Sequence, residues 1–424
     1  MVTTADAIKT TRNRMQDVFT PNQVLGRTRA IGCTAVEITQ RCNLDCTLCY
    51  LSERSEDVSD VPLDEIFNRL DAIRSNYGPG TNVQITGGDP TLRKHTELID
   101  IVRHAASIGL YPALFTNGIA ASRKLLTQLA QAGLREVAFH VDTTQRRAGY
   151  TNEQELNRIR TEYIGRAASS GLMVIFNTTV HAGNFDEIPA LVRFFIKHAD
   201  SVGFASFQLQ ADTGRGEWST RSPIVSLDSV KQQISRGANR ALPWDLVRIG
   251  HPRCHSYVPT FIVDGTCYPI IKSRRFIANF LNDFAYLHQD RRRPRHEILG
   301  DFLTAGLRKP IWFLRGAAFL LDHLWRAKKD LWRSRGRVHR LSFFAHNFMD
   351  ADHLEPERVR ACSFMLMTAE GPISMCEHNA HRDEFVLKPI AFRRRDGSLA
   401  NYDPLSKPVN RQQQTGSSVG AREC

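Results

Sequence analysis

The first half of the chain alternates apolar strand-like runs with amphipathic helical segments, and this order limits the possible folds more than any other feature. Runs rich in β-branched and aromatic residues predict six strands, near 34–39, 82–86, 111–116, 136–142, 173–180 and 202–209. The segments between them predict helices, near 62–76, 93–108, 121–132, 151–169 and 186–198. Continuous apolar strands separated by amphipathic helices predict an α/β fold with a parallel sheet that is covered on both faces.

Three cysteines follow the first predicted strand at the spacing C-x3-C-x2-C. They are Cys42, Cys46 and Cys49, and the aromatic Tyr50 comes directly after the third. Three thiolates this close in sequence can ligate three irons of a cubane cluster and leave the fourth iron open. An open metal position indicates chemistry, whereas structural metal sites are closed. The alternatives are a zinc knuckle or reduced structural thiols, although zinc sites tend to use C-x2-C pairs with a further ligand nearby.

A second motif, Gly87-Gly88-Asp89-Pro90, ends the second predicted strand. Two glycines let the backbone approach a ligand closely at the end of a strand. Asp89 can accept a hydrogen bond from an ammonium group, and Pro90 stiffens the turn. Such a segment alone is an ordinary turn, but its place one strand after the cysteine loop makes it a candidate cofactor-binding segment.

The cysteine loop and the Gly-Gly-Asp-Pro turn together resemble the radical S-adenosylmethionine (radical SAM) enzymes. The resemblance implies a [4Fe–4S] cluster on Cys42, Cys46 and Cys49, with SAM bound at the open iron. In the family a Gly-Gly-Glu-Pro turn holds the amino group of SAM, and this chain has Asp89 in place of the commoner glutamate. The implied fold is a partial (β/α)6 TIM-type barrel, and the implied partner is an electron donor of the flavodoxin or ferredoxin type.

Polar residues stand where the predicted strands end. In barrels of parallel strands, functional residues lie at the carboxyl ends of the strands. Besides Tyr50 and the Gly-Gly-Asp-Pro turn, this argument gives five candidates for contacts with SAM or substrate: Thr116, Asn117, His140, Asp142 and Gln208.

Four more cysteines occur in two pairs in the second half of the chain, Cys254 with Cys267 and Cys362 with Cys376. Each pair brackets an alternating strand-like run with a glycine turn, which predicts two hairpins. Four thiolates from two hairpins could hold an auxiliary [4Fe–4S] cluster. The alternatives are a zinc site made of the four thiolates, or thiols that act as small buried apolar groups.

A basic segment lies between the two pairs, at 272–340. It carries 17 Lys and Arg against 6 Asp and Glu, so its net charge of +11 accounts for nearly all of the chain's +12. Within it, 311–333 combines an apolar band containing Trp and Phe with basic residues, which predicts an amphipathic helix at a membrane surface. A core helix with solvated Lys and Arg is the plain alternative. Nucleic acid binding is disfavoured because the chain shows no RNA-binding motif.

Length and composition predict one large core with a smaller attachment. We expect a polar helical segment at 1–30, the barrel at 31–215, an extension at 216–395 that includes the basic helical insert, and a disordered tail at 396–424. The N-terminus is too polar for a signal peptide, and no apolar stretch reaches membrane-spanning length. Nine cysteines without a secretory signal indicate a reducing compartment. We therefore expect a cytoplasmic protein that can lie peripherally on the cytoplasmic face of a membrane.

A weaker resemblance covers more of the chain. The phrases at 207–215, 251–270, 347–362 and 376–379 resemble a radical SAM branch that contains tetraether-lipid synthases and pterin methyltransferase-like enzymes. That branch acts on unactivated carbons and carries extra clusters. It implies functionalisation of a C–H bond, by methylation, alkylation or C–C coupling, on a lipid or other hydrophobic substrate, with the four later cysteines as auxiliary ligands. The competing hypotheses are a radical SAM peptide-modifying maturase with an auxiliary cluster, and a non-enzymatic Fe–S or zinc protein that binds RNA.

Overall fold

The computed structural model describes residues 3–216, 220–287 and 295–406, and its centre is an eleven-stranded sheet. The strands are β1 (Cys33–Thr39), β2 (Asn82–Gly87), β3 (Tyr111–Thr116), β4 (Glu136–His140), β5 (Met173–Val180), β6 (Val202–Leu209), β7 (His255–Val263), β8 (Thr266–Pro269), β9 (His339–Asn347), β10 (Phe364–Thr368) and β11 (Gly371–Ser374), with β12 (Ile390–Arg393) and β13 (Leu399–Tyr402) in a separate hairpin. The helices are α1 (Thr4–Met15), α2 (Leu63–Tyr77), α3 (His95–Ser107), α4 (Arg123–Gln131), α5 (Glu153–Ala167), α6 (Ile188–Lys197), α7 (Leu227–Gly237), α8 (Arg274–Phe284), α9 (Arg295–Arg308), α10 (Ile311–Arg333), α11 (Pro356–Arg360), α12 (Met375–Ala380) and α13 (Arg382–Val386).

The first six strands lie side by side in chain order and are all parallel. Strand β10 adds in parallel to the free side of β1, and β9 adds in parallel to the free side of β6. The antiparallel strands β11, β7 and β8 complete the two edges. The predicted α/β fold of the partial-barrel type is confirmed. In the described part of the chain the two outermost strands, β11 and β8, do not pair, so the sheet is not a closed barrel.

The predicted elements of the first half are all present, and their ends lie within two residues of the predicted ones. Local caps set several of these ends. The hydroxyl of Ser122 accepts a hydrogen bond from the backbone N–H of Leu125 at the start of α4, and the Asn152 side chain does the same for α5.

The core lies between the sheet and the helices that follow its strands. Leu70 and Ile73 of α2 are fully buried in the same cluster as Val36 and Ile38 of β1. Burial of one such side chain stabilises the fold by about 1.5–3 kcal/mol. Because every β1–β6 strand runs in the same direction, the segments that follow these strands meet at one rim.

The two predicted hairpins are present, and both belong to the main sheet. Cys254 directly precedes β7 and Cys267 lies in β8, while Cys362 precedes β10 and Cys376 lies in α12, after β11. The extension therefore continues the sheet at both edges. The boundary at residue 215 stays a prediction.

The tail was predicted to begin too early. Residues 399–402 form β13, which pairs with β12, and the hydroxyl of Tyr402 donates a 2.7 Å hydrogen bond to the carbonyl oxygen of Ser59. The prediction of disorder is wrong for 396–406, because these residues have a partner strand that the sequence pattern did not reveal. The rest of the predicted tail lies outside the described residues.

The basic segment contains the helices α8, α9 and α10, inserted between β8 and β9. Among the described residues, no helix combines the length and the apolarity that crossing a bilayer requires.

A buried ion pair fixes the loop that follows β4. Arg160 of α5 is fully buried and contacts the carboxylate of Glu153, and it also donates a 2.8 Å hydrogen bond to the carbonyl oxygen of Val141. Glu153 in turn accepts from the backbone N–H of Thr143 at 3.0 Å and from the amide of Asn184 at 2.8 Å. Arg160 thus neutralises a carboxylate that itself holds the turn at the rim.

Replacing Arg160 by Met should lower the free energy of unfolding by about 3–5 kcal/mol, because Glu153 would stay buried without its cation. Urea unfolding of the purified variant measures this loss. Arg158→Met is the matched control, since Arg158 is exposed on the same helix, and we expect it to change stability by no more than about 0.5 kcal/mol. Equal, small losses in the two variants would contradict the role of the pair.

Candidate active site

A cavity of about 220 Å³ opens at the rim, where the parallel strands end. Its wall includes Cys42, Cys46 and Cys49 together with Gly87 and Gly88. The structure therefore brings together the two motifs that the sequence separates by about forty positions. The extension also contributes to the wall, including the three apolar side chains of Phe348, Leu366 and Met375.

The cysteine loop and the glycine turn are in contact through their backbones. Gly88 N–H donates to the carbonyl oxygen of Thr39 at 2.9 Å, and Asp89 N–H donates to that of Arg41 at 2.8 Å. A Cβ atom at Gly87 would lie 2.0 Å from the Thr39 oxygen, and one at Gly88 would lie 2.1 Å from the Arg41 oxygen. Gly87 also has a φ of +131°, which strains any other residue. Only glycines allow this approach, which here is toward the backbone of the chain itself. The predicted approach to a ligand stays a prediction.

Two side chains hold the cysteine loop in place. The hydroxyl of Tyr50 donates a 2.7 Å hydrogen bond to the carbonyl oxygen of Gly87. Arg215, in the segment after β6, donates to the hydroxyl of Ser55 at 3.0 Å, and its own backbone N–H donates to the Leu51 oxygen at 2.8 Å. Arg215 ends the phrase 207–215, and no local pattern predicted its contact with the cysteine loop.

Asp89 was expected to accept a hydrogen bond from a ligand, and in this structure its carboxylate is bound within the chain. It is fully buried and does not line the cavity. Its carboxylate accepts from the backbone N–H of Thr91 at 2.9 Å, from the hydroxyl of Thr116 at 2.8 Å and from the backbone N–H of Asn117 at 2.8 Å. These donors satisfy the carboxylate, so in this structure Asp89 ties the turn after β2 to the end of β3. Pro90 starts a single 3₁₀ turn behind it and is likewise absent from the cavity wall.

Replacing Asp89 by Asn should lower the free energy of unfolding of the cluster-free protein by at least about 2 kcal/mol. An amide cannot accept from all of these donors, and hydrogen bonds to a charged group are each worth about 1.5–3 kcal/mol. Chemical unfolding without SAM measures the loss.

Asp100→Asn is the control for this variant, because the side chain of Asp100 is about half exposed on α3 and pairs with Arg103 across one helical turn. We expect a change below about 0.5 kcal/mol there. Unchanged stability of Asp89→Asn, together with weaker SAM binding, would show instead that Asp89 contacts the ligand.

Asn117 connects the end of β3 to the cysteine loop. Its side-chain amide donates to the Oδ1 of Asn43 at 2.7 Å and lies 3.8 Å from the sulfur of Cys42. Thr116 and Asn117 both line the cavity, although the Thr116 hydroxyl is bound to Asp89.

His140 and Asp142 form one unit at the end of β4. The Nε2 of His140 lies 2.6 Å from Oδ2 of Asp142 and 3.1 Å from the hydroxyl of Thr179. Burial lowers the pKa of His140, but the charge of Asp142 outweighs this effect and leaves the pKa raised. Asp142 is fully buried, and although burial raises its pKa, His140 and several hydrogen bonds hold it well below the ordinary value. His140 lines the cavity and Asp142 orients it from behind.

Gln208 lines the cavity at the end of β6, as predicted from its position. Another pair in the cavity wall, Glu37 and Arg382, was not predicted from the sequence. Glu37 lies on β1 and its Oε1 is 2.8 Å from the Nη2 of Arg382 on α13, with both side chains buried. Burial raises the pKa of Glu37, but Arg382 and other partners outweigh it and hold the pKa at about 2. The guanidinium also lies 4.7 Å from the centre of the Tyr50 ring.

The four cysteines of the extension have different surroundings. Burial raises the pKa of Cys376 to about 12, and the nearby thiols of Cys362 and Cys254 add to the rise. Arg358 donates a hydrogen bond to the sulfur of Cys254 at 3.2 Å. Cys267 instead belongs to the main apolar core, where burial raises its pKa to about 11. Cys254, Cys362 and Cys376 are thus near enough to influence one another electrostatically, whereas Cys267 lies in the apolar core. The auxiliary cluster stays a prediction.

Within the described ranges, no three His, Cys, Asp or Glu side chains stand close enough to share one metal ion. A cubane takes one thiolate at each iron, so its ligands surround a cluster and do not converge on a point. The chemistry of the three thiols Cys42, Cys46 and Cys49, gathered in one cavity wall, fits such a cluster.

Comparisons with known proteins agree on one family. Residues 36–195 match the model described as the Radical SAM superfamily. The PqqA peptide cyclase of Methylobacterium sp. (strain 4-46) is 28% identical over 171 residues, which cover 38% of this chain and 42% of that protein. The 7,8-dihydro-6-hydroxymethylpterin dimethyltransferase of Methanocaldococcus jannaschii is 27% identical over 186 residues, 42% of this chain and 36% of that protein.

Among solved structures, Streptococcus suis SuiB bound to S-adenosylmethionine aligns with a TM-score of 0.39 at 16% identity, over 48% of this chain and 46% of that chain. The chain spans about half or less of the length of the curated relatives named above.

Proposed function

Residues 36–195 are a radical SAM domain, and from this premise we propose that the chain cleaves S-adenosylmethionine reductively and functionalises an unactivated C–H bond of a hydrophobic substrate. The domain confirms the predicted family, whose members are enzymes that use a [4Fe–4S] cluster and SAM. The proposed outcome is methylation, alkylation or C–C coupling. One observation carries the proposal: the three cysteines, the glycine turn and an apolar wall from the extension line the same cavity.

The residues of the chain have separate tasks in this proposal. Cys42, Cys46 and Cys49 hold the cluster, and an electron donor of the flavodoxin or ferredoxin type reduces it. SAM bound at such a cluster supplies a 5′-deoxyadenosyl radical, which abstracts hydrogen from an unactivated carbon. The backbone of Gly87 and Gly88 and the side chain of Asn117 form the wall beside the cysteines. His140, held by Asp142, presents a polar group to the cavity.

The extension shapes the substrate side of the cavity. Phe348, Leu366 and Met375 contribute apolar surface to the cavity, together with the polar Asn379 and the charged Arg382 of the same extension. Apolar and aromatic surface favours a hydrocarbon group over a polar one. Arg382 is paired with Glu37, which also lines the cavity, so the two charges neutralise each other.

A peptide substrate is the second candidate, because several relatives are named as peptide cyclases at 26–29% identity. Mass spectrometry of cells with and without the protein separates the two candidates. We expect the lipids to differ between cells with and without the protein. A maturase would leave the lipids unchanged and shift the mass of a peptide. The third hypothesis, a non-enzymatic RNA-binding protein, produces no SAM cleavage at all.

Anaerobically reconstituted protein, given SAM and dithionite, should produce 5′-deoxyadenosine. The triple variant Cys42→Ala, Cys46→Ala and Cys49→Ala should reduce production to background, because it removes every protein ligand of the cluster. Its circular dichroism should match the wild type, since the loop lies on the rim outside the apolar core. Cys267→Ala is the matched control and should keep the activity. Undiminished 5′-deoxyadenosine from the triple variant would overturn the assignment.

We further propose that Cys254, Cys362 and Cys376 hold a second [4Fe–4S] cluster. The mutual influence of their thiols and the hydrogen bond from Arg358 to Cys254 support this set. Arg358 would supply positive charge beside an anionic thiolate cluster. The position of Cys267 in the apolar core excludes it from the set.

Iron analysis tests this proposal. Wild-type protein should hold about eight irons per chain, as two cubanes of four. Cys362→Ala and the Cys42, Cys46 and Cys49 triple variant should each retain about four, while Cys267→Ala should retain about eight. About four irons in the wild type, together with bound zinc, would replace the second cluster with a zinc site.

A further inference from the structure

The inner face of α10 accounts for only part of its apolar residues. Trp312 packs against Phe276, Phe280 and Phe284 of α8, with ring centroids 5.1–5.7 Å apart. Farther along, Ala327 packs with residues of β7 and β8. Trp312 and Ala327 are the two buried residues of a 23-residue helix. Only a narrow face of α10 therefore packs against the rest of the protein.

A second apolar stripe on α10 points to solvent. Leu314, Leu321, Trp325 and Trp332 are spaced by seven, four and seven residues, so they lie on one line along an α-helix. Their exposed fractions are 70%, 64%, 71% and 84%. At 1.5 Å per residue the line is about 27 Å long.

The helix α9 also exposes apolar residues. Leu299, Leu303 and Leu307 recur at every fourth position, and all three are at least half exposed. Two consecutive helices therefore each expose a row of apolar side chains. Exposed apolar patches of this extent mark binding surfaces in proteins.

Basic side chains border the stripe. Lys328 and Lys329 each stand three or four positions from both Trp325 and Trp332, and are therefore neighbours of both on the helix surface. The ammonium of Lys328 lies 3.3 Å from the centre of the Trp325 ring. Arg333 is exposed next to Trp332.

The two acidic groups of α10 are both paired. Asp322 pairs with Lys272 and with Arg326 one turn along the helix. Asp330 accepts from the hydroxyl of Tyr268 at 2.7 Å and lies 3.6 Å from Arg333. The stripe is therefore bordered by positive charge, in a segment whose net charge is +11.

We propose that α9 and α10 dock the protein on a membrane surface that carries anionic lipids. The exposed leucines would enter the acyl boundary, the two tryptophans would lie at the headgroup level, and the Lys and Arg side chains would meet the anionic headgroups. Charge complementarity selects this occupant, because an apolar stripe bordered by Lys and Arg matches hydrocarbon beneath anionic headgroups, whereas a nucleic acid offers no apolar layer. The inference concerns a surface outside the cavity and does not rest on the proposed function.

Co-sedimentation with vesicles tests the proposal, in the full chain and without SAM. Wild-type protein should bind vesicles of phosphatidylcholine with phosphatidylserine more tightly than vesicles of phosphatidylcholine alone. Each basic residue near an anionic surface strengthens binding about fivefold. The variant with Arg326, Lys328, Lys329 and Arg333 all changed to Gln should therefore bind the anionic vesicles at least about 100-fold more weakly.

The charge-matched control changes four exposed basic residues elsewhere to Gln, namely Lys94, Arg103, Lys124 and Arg158. It removes the same net charge and should retain most of the binding. A third variant, Trp325→Gln with Trp332→Gln, should lose binding to both kinds of vesicle, and its tryptophan emission should no longer shift to the blue on mixing. Iron content should match the wild type in all three variants.

Three outcomes would overturn the proposal. The first is an absence of wild-type binding to anionic vesicles. The second is an equal loss in the two quadruple variants, which would mean general electrostatic attraction. The third is evidence for another partner. Concentration-dependent dimerisation that disappears in the tryptophan variant would assign the surface to a second copy of the chain. Salt-sensitive RNA binding, together with unchanged vesicle binding in the tryptophan variant, would assign it to nucleic acid.

Discussion

The site depends on one close contact between two stretches of backbone. Gly87 and Gly88 lie so near the carbonyl groups of Thr39 and Arg41 that no Cβ atom fits between them. This contact fixes the start of the cysteine loop relative to the end of β2. Asp89 extends the connection to the end of β3 through its hydrogen bond with Asn117. Tyr50, directly after the third cysteine, donates a hydrogen bond to Gly87 and so ties the other end of the loop to the same turn. The three cysteines are thus placed by the sheet itself, although the loop that carries them has no regular secondary structure.

Local patterns were sufficient to predict the first half of the fold. Strands such as β1 and β5 are rich in β-branched and apolar residues and are buried along almost their whole length. Helices such as α4 begin after a capping serine, so the sequence itself carries the information about their ends. The spacing of the three cysteines and the glycine turn can likewise be recognised within short stretches of sequence. The match of residues 36–195 to the Radical SAM superfamily model confirms the family that these motifs implied, and the roles of the individual residues stay predictions.

Other features depended on contacts that no local pattern encodes. A carboxylate beside two glycines suggests a ligand contact, yet the hydroxyl of Thr116 and two backbone N–H groups occupy Asp89 instead. The hairpin pattern predicted a cysteine at each end, but the register places Cys267 opposite Ile262 near the turn, whereas Cys254 precedes the far end of β7. Glu37 could have been noticed in the sequence, because it is a charged residue within a predicted strand that is mostly apolar. Its partner Arg382 is 345 positions away in the chain, and nothing in the sequence connects the two.

The place of β10 in the sheet has a consequence for biosynthesis. It covers the side of β1 that does not face β2, and Arg382 shortly after it neutralises Glu37. At about 5–20 residues per second, a ribosome needs roughly tens of seconds between completing β1 and completing β10. During that interval the nascent chain has a bare edge at its first strand and a carboxylate without a counter-charge. Bare edges are templates for wrong pairing, so the strand that carries the cysteine loop is also the one that nascent chains must protect longest.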